Sequence, residues 1–276
     1  MTCGVFGPGL VGSFLGAAAG APWVIAGPSG RPRAHLVRLL DGVRAWTPTV
    51  LPIPPDDMPL LVATRVHRTP WEILPQDALV AQNGLGQPRQ IATCMFAVDL
   101  DADGVLHATG PRPRVIVGPL TSAWSPVLKA WENAGIHVDR VADPRSAQWE
   151  KAILNATVGP LCLGTGRTMA AVWGDAELRQ LTLAATNEGE TLARAIGVLI
   201  TPGIDVRASS FFSAVGDHHP SVVRDAGELP WVLGVLLQTA DLHHIPAPAL
   251  RRIAAMVARH SSSRDQVLNS ASSLTF

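Results

Sequence analysis

Two stretches of this chain combine residue types and spacings that chemistry can use. The first is Gly7-Pro8-Gly9-Leu10-Val11-Gly12. In a Gly-x-Gly-x-x-Gly turn between a strand and a helix, Gly7 permits the tight turn and Gly9 lets backbone approach a pyrophosphate. Gly12 allows close helix–strand packing, and the helix N-terminus faces the phosphates. Pro8, Leu10 and Val11 complete the turn and stand with the glycines as cofactor-binding candidates. A plain structural turn is the alternative, because the chain holds 25 glycines and some cluster by chance. The second stretch is Lys151-Ala152-Ile153-Leu154-Asn155. Lysine occurs only at 129 and 151, and arginine supplies the rest of the 22 basic residues. Lys151 and Asn155 are spaced to share one face of a predicted helix. There an ammonium beside an amide can polarise a carbonyl and donate a proton to the alkoxide formed when hydride arrives. An ordinary snorkelling surface lysine is the alternative.

A dinucleotide site must also choose its cofactor. Enzymes that select NAD usually carry Asp or Glu about 20 residues past the glycine turn, on the ribose 2′-hydroxyl. None stands there. Instead the segment reads Gly27-Pro28-Ser29-Gly30-Arg31-Pro32-Arg33, whose hydroxyl and guanidinium groups suit a 2′-phosphate. NADPH is therefore preferred to NADH, unless Arg31 and Arg33 only solvate the start of the next element.

These residues need elements to hold them. Thr2 to Phe6, Leu10 to Ala19 and Pro22 to Ala26 read as strand, helix and strand. Further strands are expected at Pro59 to Thr64, Ala78 to Ala81, Met95 to Val98 and Arg114 to Val117, each bounded by Pro, Gly, Asp or Asn. Short apolar strands alternating with helical patterns imply a mainly parallel, doubly wound α/β sheet over residues 1–142. Residues 144–200 and 221–258 are helical in period, so an all-α domain is expected over 143–276, divided from the first near Ala142-Asp143-Pro144. The Ser-rich end from Ser261 to Ser273 is expected to be a loose tail.

Composition narrows the classes. Acidic and basic residues balance at 22 each, so neither nucleic acid nor an anionic membrane surface is an expected partner. Residues 1–30 hold no charge, yet they lack a basic leader region and are rich in Gly and Pro; a buried strand–turn–helix–strand unit is expected there, not a leader or a span. Cys3, Cys94 and Cys162 are odd in number and widely spaced, as buried thiols in a reducing, cytoplasmic compartment would be. His218-His219 and His243-His244 lack metal-ligand spacing, so no metal is expected. No GxSxG or GxxxxGK[ST] pattern occurs.

The N-terminal glycine turn, Gln82-Asn83-Gly84, Trp149-x-Lys151-x-x-x-Asn155, His218-x-Pro220-Ser221-x-x-x-Asp225, Glu228 followed by Gly234, and His244-Ile245-Pro246-Ala247-Pro248 occur in one order along the chain. Together they resemble the ketopantoate reductase family over about residues 4–250. That resemblance implies a Rossmann-type domain followed by a helical domain, and pro-S hydride transfer from NADPH to the C2 ketone of 2-dehydropantoate. Lys151 would be the general acid and Glu228 would hold the substrate hydroxyl. Ser221 would contact the carboxylate, and Asn83 and Asn155 would orient cofactor and substrate. Ser29, Arg31 and Arg65 would serve the cofactor phosphates. The implied partner is a small 2-oxo acid, and a homodimer is admitted.

The chain departs from the family pattern at several positions. Gly159 replaces a second asparagine, only Ala226 and Gly227 separate Asp225 from Glu228, and Pro230 stands where an acid is usual. Pro28 and Ser29 replace a basic residue, and Arg65 replaces a lysine. Asp225 is expected to be structural, and Glu190 is a further acid that could face the substrate. A reductase of another 2-oxo acid or ketone and a non-catalytic dinucleotide-binding protein remain as alternatives.

Overall fold

The computed structural model describes residues 3–25, 36–53 and 58–272, with side chains described only as far as 260. It divides into two compact units, Met1–Gln148 and Trp149–Phe276. The division falls inside the helix that begins at Arg145.

The first unit begins with β1 (Gly4–Phe6), α1 (Leu10–Ala19) and β2 (Trp23–Ile25). There follow β3 (Leu36–Leu39), β4 (Gly42–Ala45), β5 (Thr49–Leu51), β6 (Leu60–Val62), β7 (Leu79–Val80), β8 (Gln90–Cys94), β9 (Ala97–Leu100), β10 (Val105–Thr109), β11 (Arg114–Val117), α2 (Ser125–Asn133) and β12 (His137–Arg140). Eight strands form one sheet in the order β12-β11-β8-β7-β6-β1-β2-β5. Every pair in it is parallel except β8 with β11. Chain order reverses at β1, with β2 on one flank and β6 on the other, and this reversal opens a crevice beyond the carboxyl ends of the strands.

Alternation along these strands sorts the core. Val5, Val24, Leu61 and Leu79 join α1 and α2 in one cluster, while Phe6, Ile25, Val62 and Val80 fill the opposite face with Trp23, Leu60 and Leu74. Trp131, fully buried, donates its indole N–H to the Leu15 carbonyl at 3.0 Å and so ties α2 to α1. The tryptophans are packing groups here.

The connections differ from the sequence expectation. A second sheet, β4-β3-β10-β9, is built from two antiparallel hairpins joined by the parallel pair β3–β10, and it packs on α1. Two 3-10 turns, Val66–Arg68 and Trp71–Ile73, link β6 to β7. The strand expected at 95–98 covers the break between β8 and β9 and the first two residues of β9.

The second unit is helical: α3 (Arg145–Thr165) enters it, followed by α4 (Met169–Gly174), α5 (Ala176–Ala195), α6 (Ile204–Val215), α7 (Ser221–Arg224), α8 (Val235–Leu242) and α9 (Pro248–Ser272). A 3-10 turn, Ala226–Glu228, and a π-helical turn, Pro230–Gly234, lie between α7 and α8. Asp175 caps α5 through the Glu177 and Leu178 amides. The Glu188 carboxylate takes the first free amides of α9, at Ala249 and Leu250, at 2.8 and 2.9 Å. The helix α6 was not expected from the sequence, because β-branched, Ser and Phe residues dilute its helical period. The serines from 261 do not end α9, which continues to Ser272, since a serine is tolerated inside a helix whose neighbours favour it. No helix among the described residues is long and apolar enough to cross a membrane.

All three cysteines are buried, and burial pushes the Cys3 and Cys162 thiols up to about 12. A thiol held that high supplies almost no thiolate at mildly alkaline pH. A disulfide-exchange dye should therefore find no fast-reacting thiol in the native protein and three after denaturation. Rapid labelling of the native protein would contradict this packing.

Candidate active site

The candidates fall into two groups, one in each unit. In the first unit, Gly7 ends β1 with φ +82°, and a Cβ there would lie 2.3 Å from Thr64 Cγ2 and 2.7 Å from the Thr64 amide nitrogen. Only glycine suits that position. Gly12 is closed in a different way, since its Cβ would meet the Gly7 carbonyl oxygen at 2.5 Å and Ala63 Cβ at 3.0 Å. Gly9 is the opposite case, with nothing within 4 Å of where its Cβ would stand. Pro8 is buried, while Gly9, Leu10 and Val11 are partly exposed at the start of α1. That N-terminus has no side-chain cap and no acid in its first turn. A closed turn, an open approach at Gly9 and an uncapped helix end fit a pyrophosphate.

Behind the turn, Thr64, Thr69 and Gln82 form a ring. Thr69 Oγ1 donates to the Arg65 carbonyl at 2.9 Å and pairs with Thr64 Oγ1 at 2.8 Å. Gln82 Nε2 donates to both hydroxyls, at 3.1 and 2.7 Å. The ring ties the carboxyl ends of β6 and β7 together beside Gly7, and it places Arg65 and Asn83 at that edge. Asn83 is partly buried in a turn closed by Gln87 Nε2 donating to its carbonyl at 2.9 Å. Sequence reasoning missed Thr64 and Thr69, which carry no spacing signal. Ser29, Arg31 and Arg33 lie outside the described residues.

In the second unit α3 carries Lys151 and Asn155 on one face, both partly buried. Gly159 continues that face by one further turn. A Cβ on Gly159 would stand 3.2 Å from Val222 Cγ1 and 3.7 Å from Pro220 Cβ. The residues on either side of Ser221 therefore pack on the helix face that holds Lys151 and Asn155. Val222 also joins Leu163 and Val257 in a small apolar cluster, with Val223 and Leu229 against it.

Ser221 Oγ donates to Glu228 Oε2 at 2.5 Å, and Glu228 is only 5% exposed. The connection holding only Ala226 and Gly227 accounts for this: Asp225 accepts from the Gly227 amide at 3.1 Å and starts the 3-10 turn that carries Glu228 back beside Ser221. A buried carboxylate needs such a donor. Of the other acids considered, Asp225 is a cap, and Glu190 on α5 pairs with Arg194 at 2.7 Å. Among the described residues no cluster of His, Cys, Asp or Glu could hold a metal.

Sequence reasoning also missed Glu150 and Arg207. Glu150, at 9% exposure, meets Arg207 through two parallel bonds, Nε to Oε1 and Nη2 to Oε2, each 2.7 Å. That paired carboxylate, foremost by hydrogen bonding, raises the Arg207 guanidinium above its ordinary range. An acid within the apolar run Trp149 to Leu154 was the available signal.

The chain is similar to several known proteins. Residues 143–261 match the family model described as ketopantoate reductase PanE/ApbA C terminal. A 2-dehydropantoate 2-reductase from Mesorhizobium japonicum is 26% identical over 184 residues, covering 63% of this chain. The match spans 56% of that relative's length, little more than half. Among solved structures, a PanE/ApbA family ketopantoate reductase from Ralstonia eutropha superposes with TM-score 0.74 at 20% identity, covering 95% of this chain and 99% of the other. A D-mandelate dehydrogenase solved with NADH and anilino(oxo)acetate gives TM-score 0.77 at 17% identity, with coverage of 95% and 99%. Residues 143–261 are thus similar to the C-terminal domain of ketopantoate reductases, and the chain has the fold of solved PanE/ApbA family structures.

Proposed function

We propose that the chain is an NADPH-dependent reductase of a 2-oxo acid, converting 2-dehydropantoate to pantoate. The observation that carries this is the α3 face on which Lys151, Asn155 and the segment around Ser221 gather, all inside the stretch that matches the family model. The cofactor, when bound, supplies the hydride to the C2 ketone. Gly7 to Gly12 would hold its pyrophosphate, and Ser29, Arg31 and Arg65 its 2′-phosphate. Asn83 would orient its nicotinamide end.

Lys151 donates a proton to the ketone oxygen as negative charge develops there, and Asn155 holds that oxygen in line. Ser221 and Glu228 anchor the far end of the substrate, the Glu228 carboxylate accepting a hydroxyl and Ser221 turning toward the substrate carboxylate. A second proposal, another 2-oxo acid, is favoured by Gly159 and by the direct Ser221–Glu228 bond, since both change the surface offered to the substrate. NADH is the alternative cofactor, by analogy with the solved D-mandelate dehydrogenase complex. A cytoplasmic location and a homodimer belong to the same proposal, the dimer by analogy with a ketopantoate reductase from Staphylococcus aureus described as dimeric.

NADPH consumption with 2-dehydropantoate, run beside NADH and a panel of 2-oxo acids, tests this directly. Lys151→Ala should lose roughly hundredfold or more in kcat while still binding NADPH, as removal of a general acid does. An active Lys151→Ala protein would overturn the role, and binding without turnover on any 2-oxo acid would leave a dinucleotide-binding protein in place of an enzyme. The glycine turn gives a second, separable result. Gly9→Val should keep its melting temperature but weaken NADPH binding by about tenfold or more, about 1.4 kcal/mol, by tryptophan fluorescence. Gly12→Val should instead destabilise the fold by about 1–3 kcal/mol, because its side chain meets backbone. Equal effects of the two would contradict a phosphate-binding turn.

A further inference from the structure

The pair formed by Glu150 and Arg207 is unusual in this molecule for being both shielded and fully directional. Arg207 spends its guanidinium on four acceptors: the two Glu150 oxygens at 2.7 Å, the Pro202 carbonyl at 2.8 Å and the Thr201 carbonyl at 2.8 Å. It thereby joins α3 to the first turn of α6 and to the segment before it. Arg207 also feels Glu190 and Asp205, but Glu190 is already held by Arg194. As a source of stability a shielded ion pair is a poor choice, since apolar residues of similar volume often do as well or better. A planar, two-pronged bond offers direction instead.

Direction matters at this point of α3. Glu150 immediately precedes Lys151, and side chains of successive helix residues leave the axis about 100° apart, so fixing one fixes the other. α3 also makes close apolar contacts. Gly189 of α5 faces Ile153, and Gly164 faces the backbone of Met256 and Val257, contacts that carry no hydrogen-bond direction. Pro160 lies inside α3 and has no N–H for the Ala156 carbonyl, which loosens the half bearing Lys151 from the half bearing Leu163. The bond to Arg207 is made on the N-terminal half, next to Lys151.

We infer that Arg207, acting through Glu150, is the positioning residue for Lys151: the two-pronged bond sets the rotation of α3 and with it the direction of the Lys151 ammonium. The consequence for catalysis rests on the reductase proposed above, whereas the effect on Lys151 itself does not.

The scarcity of lysine makes the effect readable. Reductive methylation with 13C-formaldehyde labels two lysines, and Lys129, on the exposed side of α2, is an internal reference. Arg207→Lys keeps the charge but loses the fork. The pair Glu150→Leu with Arg207→Met removes both charges at similar volume, so the fold has a second route to survive. In either folded variant the dimethyl-Lys151 signal should move toward that of Lys129 and narrow, while Lys129 stays. On the unlabelled enzyme kcat should fall about tenfold or more, with KM and NADPH affinity little changed, as for a misplaced catalytic group.

A Lys151 signal that does not move in a folded variant overturns the inference even if the wild type is an active reductase. Loss of the fold in both variants makes the pair a folding determinant only and overturns it equally. A moving signal in a protein that reduces no 2-oxo acid keeps the positioning role and removes the reductase.

Discussion

Much of this molecule depends on how closely backbones can approach where a side chain is missing. In the first unit the start of α1 sits so near β1 that a Cβ on Gly12 would lie 2.5 Å from the Gly7 carbonyl oxygen. That approach aims the free amides of α1 across the open position at Gly9. In the second unit Gly189 lets α5 settle on Ile153, Gly164 lets α9 settle on α3, and Gly159 lets the Ser221 segment settle on the face of Lys151. Protein interiors are close-packed, so an added methyl at such a point must displace backbone. Side-chain chemistry in both units is set on surfaces that these approaches define.

The buried acids follow from the same economy of polar groups. With 16% charged residues, the described chain buries the carboxylates of Glu150 and Glu228 and partly buries that of Glu188, and each of the three has an identified donor. Glu150 has a guanidinium, Glu228 has the Ser221 hydroxyl, and Glu188 has the first amides of α9. The three solutions serve different ends. Glu188 completes a helix terminus, Glu150 ties α3 to α6, and Glu228 holds the Ser221 hydroxyl. The short connection from Asp225 brings Glu228 back beside Ser221 and makes the last of these direct.

Local patterns were legible where local physics is strong. The Gly7–Gly12 turn, β1, α1, β2, β6, β7 and β11 could be read from apolar runs bounded by Gly, Pro and Asp, because turn chemistry and burial on both faces leave few alternatives. The helical character of the second unit was legible from its period. The hairpin sheet was not, since β4 is exposed along its length and shows no alternation between a buried and a solvated face. Nor was α6, with Ser and Phe in place of strong helix formers, and with it Arg207 went unseen.

By itself the sequence determined the types of the chemical groups and their spacing along a helix or a turn: three glycines with distinct tasks, one lysine four residues before an asparagine, and a serine and a glutamate close together further on. Those relations are short-range, governed by residues that share one turn of backbone. Tertiary structure alone decided which distant groups meet. It paired Glu150 with Arg207, set Val222 over Gly159, and closed the ring of Thr64, Thr69 and Gln82. Such contacts join residues far apart in the chain, and they exist only once packing has brought several elements to van der Waals distance.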